Sequence, residues 1–258
     1  MMVGTTHFPS FYLPFVMSDN QLSPGRVRAH QLTEEDAARI QAQFFAQVYG
    51  WMAVGLALTG GMALFAASSP ALQHFIFGSR ITFFGLIILE LVVVGFLSAR
   101  IFQWSLGQAK AAFVGYALLN GLTLSVIFLA YTAGSIASTF FTTALMFGVM
   151  SIFGYFTKSD LSGWGKLLSM ALIGMVIAMV VNMFWGNSTL NLIVSGIGVI
   201  LFTALAAYDT QKLKQMAFIG VTEGEETSNK ASILGALTLY LDFVNLFLFL
   251  LRFFGQRR

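Results

Sequence analysis

Seven long apolar runs constrain this chain more than any other feature of its sequence. The runs cover residues 48–67, 81–99, 111–131, 137–156, 167–185, 190–208 and 231–251. A bilayer core requires about 20 mostly apolar residues per helix, so each run is long enough to cross it. All four prolines precede residue 71, so the later runs can be helical without a proline break. The sequence therefore predicts an all-α membrane protein with seven transmembrane helices.

Charged residues are too scarce for a water-soluble protein. The 258 residues include 14 Lys and Arg and 11 Asp and Glu, or 10%, whereas soluble chains carry about 25%. This composition excludes a soluble enzyme, a disordered protein and a nucleic-acid-binding protein. Cys is absent and the three His residues lie outside the apolar runs, which excludes thiolate chemistry and a histidine-built site inside the membrane.

Residues 1–47 form a polar segment ahead of the first run. Residues 8–17 are apolar but short, and a polar leader follows Met17. We hypothesise that translation starts at Met17 and that residues 1–16 are a mis-called extension, which N-terminal sequencing would test. Thr33, followed by Glu34, Glu35 and Asp36, predicts the start of an amphipathic helix. This helix is either a membrane-surface helix or a solvated extension of the first span.

The distribution of Lys and Arg predicts the orientation in the membrane. Ten of these residues fall in the N-terminal segment and in the loops after the second, fourth and sixth runs, and one, Arg80, falls in the remaining loops. Because basic loops stay in the cytoplasm, we expect a cytoplasmic N-terminus. The membrane domain is then 48–251, and residues 252–258 form a basic tail. The tail would face outward after seven spans, unless the last segment does not fully cross.

Three carboxylates are predicted at membrane depth. Glu90 and Asp242 lie within apolar runs, and Asp209 closes the sixth run. A charged side chain at the centre of a transmembrane helix costs about 2.5–3.5 kcal/mol on insertion scales, so its presence favours a function. The functional interpretation is an ion or proton path, and the structural alternative is a buried polar contact between helices.

Helical spacing places other polar residues beside these carboxylates. Thr238, Asp242 and Asn245 share one face of the last run, and the third run carries a similar stripe. The stripe consists of Tyr116, Asn120 and Thr123. Asn120 and Asn182 are also suited to hydrogen bonds between helices.

Motifs of common enzymes do not support a catalytic function. Phosphate-loop, zinc-protease and serine-hydrolase motifs are missing from the sequence. Two aspartates on consecutive runs are a feature of intramembrane aspartyl proteases. However, the second aspartate here follows Leu-Tyr-Leu rather than Gly-x-Gly. We therefore predict no enzymatic activity and no stable cofactor.

Several segments resemble one known family. The stretch ALTLYLDFVNLFLFLLRFFG at 236–255 is similar to the last helix of the Bax inhibitor-1 family, also called the transmembrane Bax inhibitor motif family. AAYDTQKLK at 206–214 resembles the end of its sixth helix, and Leu89-Glu90 resembles an acidic position on its second helix. QVYGWMAVGL at 47–56 resembles the bacterial inner-membrane branch of the family. The resemblance covers roughly residues 42–258.

The resemblance implies a fold and a set of site residues. The family fold has six helices in two layers around a central seventh. The paired aspartates of the family, which sense pH and gate the protein, correspond to Asp209 and Asp242. Glu90, Thr238 and Asn245 would line the ion path, and calcium would bind weakly and transiently at Asp209, Asp242 and Glu90. Arg100 is a displaced candidate for the arginine that latches the pair in some members.

Two function classes remain open at this stage. The first is a pH-sensitive leak channel or transporter for calcium or another small ion in a bacterial inner membrane, gated by aspartates that share a proton. The second is a regulatory membrane protein that modulates a partner, such as a membrane-bound ATP-dependent protease, through its N-terminal segment. Deletion of residues 17–46 would discriminate between them, since a leak should survive it.

Overall fold

Helices make up 89% of residues 33–258, the part of the chain that the computed structural model describes, and this part has no strand. The helices are α1 (Glu34–Ser68), α2 (Pro70–Phe77), α3 (Arg80–Arg100), α4 (Leu106–Ala130), α5 (Ala133–Phe156), α6 (Trp164–Trp185), α7 (Ser188–Met216), α8 (Ile219–Glu223) and α9 (Glu225–Phe254). All except α2 and α8 are long and apolar enough to cross a membrane, which confirms the prediction of seven spans. The hypothesis about Met17 and residues 1–16 lies outside the described residues.

Helix α1 begins where the sequence predicts. The Thr33 hydroxyl accepts a hydrogen bond from Asp36 N at 3.1 Å, and Thr33 N donates to the Asp36 carboxylate at 3.2 Å, so the two residues cap the helix reciprocally. The helix continues without a break to Ser68, and Phe44 and Val48 are buried in the bundle. The predicted amphipathic helix is therefore the first part of α1, with its apolar face packed on protein.

Helix α9 lies at the centre of the bundle. Sixteen of its 30 residues are buried, and it contacts α1, α4, α5, α7 and α8. A continuous run of apolar side chains on all sides suits this position, because neighbouring helices surround α9. The central seventh helix of the prediction is thus present, while the arrangement of the other six in two layers stays a prediction.

Helices α3 and α6 lie at the periphery. Helix α3 buries a single residue, Leu97, and packs mainly against α4. Large side chains such as Ile88 and Leu91 of α3 and Ile173 of α6 are exposed on the protein surface. In a bilayer these side chains face lipid, where apolar contact is favourable.

The C-terminal tail is attached to the turn between α4 and α5. Arg258 N donates to Ala130 O at 3.0 Å, and Thr132 N donates to Gln256 O at 3.1 Å. The Arg257 guanidinium lies 5.9 Å from the centre of the Tyr131 ring. Because α4 ends at the side of the bundle opposite the start of α1, these contacts place the end of α9 there too. This position favours seven complete spans over a last segment that does not cross.

Candidate functional site

Two buried carboxyl groups meet between α7 and α9. Asp209 and Asp242 are 9% and 6% exposed, and their side chains lie close enough to interact with each other. A carboxylate only accepts hydrogen bonds, so the two groups can bond to each other only if one of them holds a proton. We call these two residues the aspartate pair.

The aspartate pair has few other polar partners. Lys212 lies near Asp209, one turn further along α7. Asp242 Oδ2 is buried and has no hydrogen-bond partner among residues 33–258. An unpartnered buried oxygen is costly, so it marks a position where a proton or a cation would be stabilised.

A glycine brings α5 against the same segment of α7. A methyl group added at Gly154 would lie 2.8 Å from the carbonyl carbon of Ala207, two residues before Asp209. Only glycine permits this approach of the two backbones. The Lys214 ammonium, further along α7, donates to Tyr155 O at 3.1 Å, so α5 and α7 are also tied at this end.

Thr238 and Asn245 flank Asp242 on α9, as their spacing predicts. Both are half-buried. Thr238 donates to Leu234 O at 3.1 Å, and Asn245 Nδ2 donates to Leu241 O at 2.8 Å. These bonds turn polar atoms back onto the helix that carries them, an arrangement common for polar side chains in transmembrane helices.

Glu90 belongs to a different polar cluster. Its Oε1 accepts a hydrogen bond of 2.5 Å from the Thr123 hydroxyl, which joins α3 to α4. Tyr116 and Tyr240 both lie close enough to interact with the Glu90 carboxyl group. We call Glu90, Tyr116, Asn120 and Thr123 the Glu90 cluster.

The structure does not assemble the calcium site that combined Glu90 with both aspartates. Within the described range, no group of three or more Asp, Glu or His side chains could hold a metal ion. The physical reason lies in α9: Tyr240 faces the Glu90 cluster, and Asp242, two residues later, points about 200° away. The aspartate pair and the Glu90 cluster are therefore separate sites.

Arg100 does not act as a latch in this structure. It is exposed at the end of α3, where its guanidinium donates to Gln103 Oε1 at 3.1 Å and lies 5.6 Å from the centre of the Phe96 ring. The peripheral position of α3 explains why its last residue does not reach the aspartate pair.

The two asparagines also differ from the expectation of hydrogen bonds between helices. Asn182 Oδ1 accepts a hydrogen bond of 3.0 Å from Asn187 N, which stabilises the turn between α6 and α7. Asn120 is 8% exposed, and its Oδ1 has no partner among residues 33–258. Asn120 therefore does not serve as a simple link between two helices.

Two residues that the sequence did not single out connect three helices near the Glu90 cluster. The Thr59 hydroxyl of α1 donates to Ala117 O at 2.8 Å and lies 2.7 Å from the Tyr240 hydroxyl. Because the one Thr59 hydrogen is used by Ala117, Tyr240 donates to Thr59. The signal was available: Tyr240 is a phenol within an apolar run, and a buried hydroxyl requires a partner.

Comparison with known proteins identifies the family. The family model described as "Inhibitor of apoptosis-promoting Bax1" matches residues 41–258. The chain belongs to the Bax inhibitor-1 family. The match includes the aspartate pair and the Glu90 cluster, so all the site residues discussed above lie in the part of the chain that the Bax inhibitor-1 family model covers.

Similar bacterial proteins cover nearly the same region. Inner membrane protein YbhL of Escherichia coli strain K12 is 55% identical over 215 residues, 83% of this chain and 92% of that protein. An uncharacterized protein of Deinococcus radiodurans is 44% identical over 214 residues, 83% of this chain and 90% of its own length. One of Borreliella burgdorferi is 40% identical over 225 residues, 87% and 97% of the two chains. The chain is thus a membrane protein of the Bax inhibitor-1 family.

Proposed function

We propose that this protein is a pH-sensitive leak channel or transporter for a small cation, calcium being the preferred ion, gated by the aspartate pair. The observation that carries the proposal is the contact of Asp209 with Asp242 inside the membrane, with one oxygen of Asp242 left without a partner in the described structure. Two carboxyl groups in such a place serve an ion better than they serve packing, since apolar side chains would pack at lower cost.

The shared proton supplies the gate. While one proton is held between the two carboxyl groups, α7 and α9 are joined and the aspartate pair is covered. When the pH rises and that proton is lost, two negative charges repel each other in a medium of low dielectric constant. The ends of α7 and α9 then separate and admit water and a cation.

Charge and ligand chemistry favour calcium at the aspartate pair. Hard divalent cations prefer carboxylate and carbonyl oxygens, and two ionised carboxylates balance two positive charges. Thr238 and Asn245, on the same face of α9 as Asp242, extend the proposed path along the helix. Glu90 adds a further negative charge at membrane depth, outside the calcium site. Calcium is transported in this proposal, and we assign the protein no catalytic function.

The proposed location is the bacterial inner membrane, with the N-terminus in the cytoplasm. The Escherichia coli relative YbhL is an inner membrane protein. The orientation rests on the ten cytoplasmic Lys and Arg residues against one on the other side.

Calcium flux into proteoliposomes, measured at several pH values, tests the proposal. We expect a leak that increases as the pH rises, because deprotonation opens the aspartate pair. Protein-free liposomes and liposomes with the Asp209→Asn, Asp242→Asn double variant are the controls. A flux equal to that of protein-free liposomes at every pH would refute the proposal.

The alternative function is a regulatory membrane protein that acts on a membrane-bound ATP-dependent protease or another partner. A deletion variant, measured in the same flux experiment, separates this alternative from the channel. Deletion of residues 17–46 would remove Phe44 and Phe45, which are buried in the bundle. The sharper variant lacks only residues 1–32 and keeps the Thr33 cap. A leak that survives this deletion supports the channel. If the variant with the deletion loses the protein's effect in cells but keeps normal calcium flux in proteoliposomes, the regulatory function is supported.

A further inference from the structure

The hydroxyl group of Thr123 lies between two oxygen atoms. It is 2.5 Å from Glu90 Oε1 and 3.0 Å from Asn120 O. Thr123 has one hydroxyl hydrogen, and the carbonyl of Asn120 has none to give. If Thr123 donates to Asn120, the short contact with Glu90 needs a proton on Glu90. If Glu90 is ionised, Thr123 must turn its hydrogen toward the carboxylate.

The Glu90 cluster therefore has two states that differ by one proton and by the rotation of one hydroxyl group. Neither state requires a helix to move. A site that gains or loses a charge by turning a hydroxyl is suited to binding and releasing an ion.

The charges around Glu90 define which ion fits. Glu90 has no ion-pair partner among residues 33–258, and the titratable groups that face it are the neutral hydroxyls of Tyr116 from α4 and Tyr240 from α9. The cluster thus supplies at most one negative charge. One monovalent cation gives a neutral site in the membrane, whereas a divalent cation would leave an uncompensated positive charge.

An unpartnered oxygen supports this assignment independently. Asn120 Oδ1 is buried and has no hydrogen-bond partner in the described structure, and Asn120 lies beside Tyr116 on α4. Amide, hydroxyl and carboxylate oxygens are the ligands of hard cations. The Glu90 carboxyl group, the Thr123 hydroxyl and the Asn120 side chain thus offer oxygen atoms of three types near the contact of α3 with α4.

We propose that Glu90, Thr123 and Asn120 form a binding site for one monovalent cation, with the proton as its usual occupant, separate from the aspartate pair. The binding site deepens the proposed function. Only its role in transport rests on that proposed function; the binding itself does not. It lies where the loosely packed α3 meets α4, and Glu90 is half-buried, so small apolar molecules reach it from the lipid.

Labelling with a hydrophobic carbodiimide tests occupancy without any measurement of flux. Dicyclohexylcarbodiimide adds to protonated carboxyl groups in membranes, and mass spectrometry of peptides locates the adduct. In the full-length protein in lipid nanodiscs we expect an adduct at Glu90 that forms more slowly as the pH rises and is lost in Glu90→Gln. Sodium that slows the labelling would extend the site to a metal cation, and sodium without effect supports a proton-specific site.

A matched pair of threonine variants tests the geometry. Thr123→Val removes the hydroxyl between Glu90 and Asn120. We expect labelling at high pH to be about three- to tenfold faster than in the wild type, because the ionised carboxylate loses its donor. Thr143→Val is the control, since the buried Thr143 hydroxyl donates only to Thr139 O of its own helix, at 2.7 Å. Equal labelling of both variants would overturn the assignment of Thr123.

The remaining outcomes separate this site from the aspartate pair. The proposal would be overturned if Glu90 were not labelled at any pH. It would also be overturned if calcium protected Glu90 from labelling more strongly than sodium does. The Asp209→Asn, Asp242→Asn double variant should keep the wild-type labelling of Glu90, and loss of the adduct there would show that the two sites are one. Absence of calcium flux, with normal labelling, would refute the proposed function and leave this site standing.

Discussion

At the scale of single residues, two groups of carboxyl side chains lie on opposite faces of α9: the aspartate pair and the Glu90 cluster. A carboxylate inside the membrane must be neutralised, because its hydration is lost there. In the proposed function Asp209 and Asp242 neutralise each other by sharing a proton, whereas Glu90 is bonded to the Thr123 hydroxyl and, in the further proposal, holds a proton of its own. The first arrangement couples two helices of the core, and the second attaches a peripheral helix.

Replacing either aspartate by asparagine should remove the pH response of the leak. Asp209→Asn and Asp242→Asn each keep a hydrogen-bonding group of similar size and remove one charge, so no repulsion develops as the pH rises. We expect a flat profile of calcium flux against pH, and the double variant should add little to either single one, because the residues act as a unit. Asp160→Asn, in the loop between α5 and α6, is the control. If the single variants kept the wild-type profile of calcium flux against pH, the aspartate pair would be a structural contact and not a gate.

Glu90→Gln should lower cation flux without loss of expression. The amide keeps the shape and the hydrogen bond from Thr123 but carries no negative charge to attract a cation. Flux through proteoliposomes, normalised to the amount of protein inserted, is the measurement, and Glu223→Gln is a control at an exposed site. Full activity of Glu90→Leu would show that the carboxyl group has no part in transport.

At the scale of helices, close backbone contacts position the aspartate pair. Gly154 of α5 lies against Ala207, and Gly198 of α7 lies under the Phe249 ring, where an added methyl would be 2.6 Å away. Without strong hydrophobic attraction between helices in lipid, such small residues permit the packing that holds a bundle together. The orientation of Asp209 toward Asp242 therefore depends on glycines, because only a residue without a side chain fits at these contacts.

Gly154→Ala should destabilise the protein, while Gly148→Ala on the same helix should not. The new methyl at Gly154 collides with backbone that cannot move away, and overpacking of this kind costs about 1–3 kcal/mol. Gly148 has nothing within 4 Å of an added methyl group. Thermal unfolding in detergent measures both variants. A Gly154→Ala protein as stable as the Gly148→Ala protein would contradict the described contact of α5 with α7.

At the scale of the whole molecule, seven crossings place the two ends of the membrane domain on opposite sides. The start of α1 and the loops after α3, α5 and α7 share one side, and the tail bonds to the α4–α5 turn on the other. With the proposed cytoplasmic N-terminus, the three arginines of the tail lie outside the cytoplasm, against the general preference of basic residues. In that orientation, seven apolar spans outweigh the three charges of the tail.

Reporter fusions along the chain test this topology. Fusions after Lys158 and after Lys212 should report the cytoplasm, because both follow an even number of membrane crossings, four and six, from a cytoplasmic N-terminus. A fusion after Arg258 should report the outside, in agreement with the contact of the tail with Tyr131. A periplasmic signal at Lys158 or Lys212 would overturn the orientation, and a cytoplasmic signal at Arg258 would overturn the seventh crossing.

The sequence by itself determined the seven spans, the Thr33 cap, the family and the candidate carboxylates, because apolar length, capping chemistry and motif identity are local properties of the chain. Only the tertiary structure showed that Asp209 meets Asp242 and that Glu90 bonds to Thr123. It also placed Arg100 away from the aspartate pair and joined Tyr240 to Thr59. These relations depend on which face each helix turns toward its neighbours. In a membrane protein that choice leaves a weak trace in the sequence, since core-facing and lipid-facing side chains are both apolar.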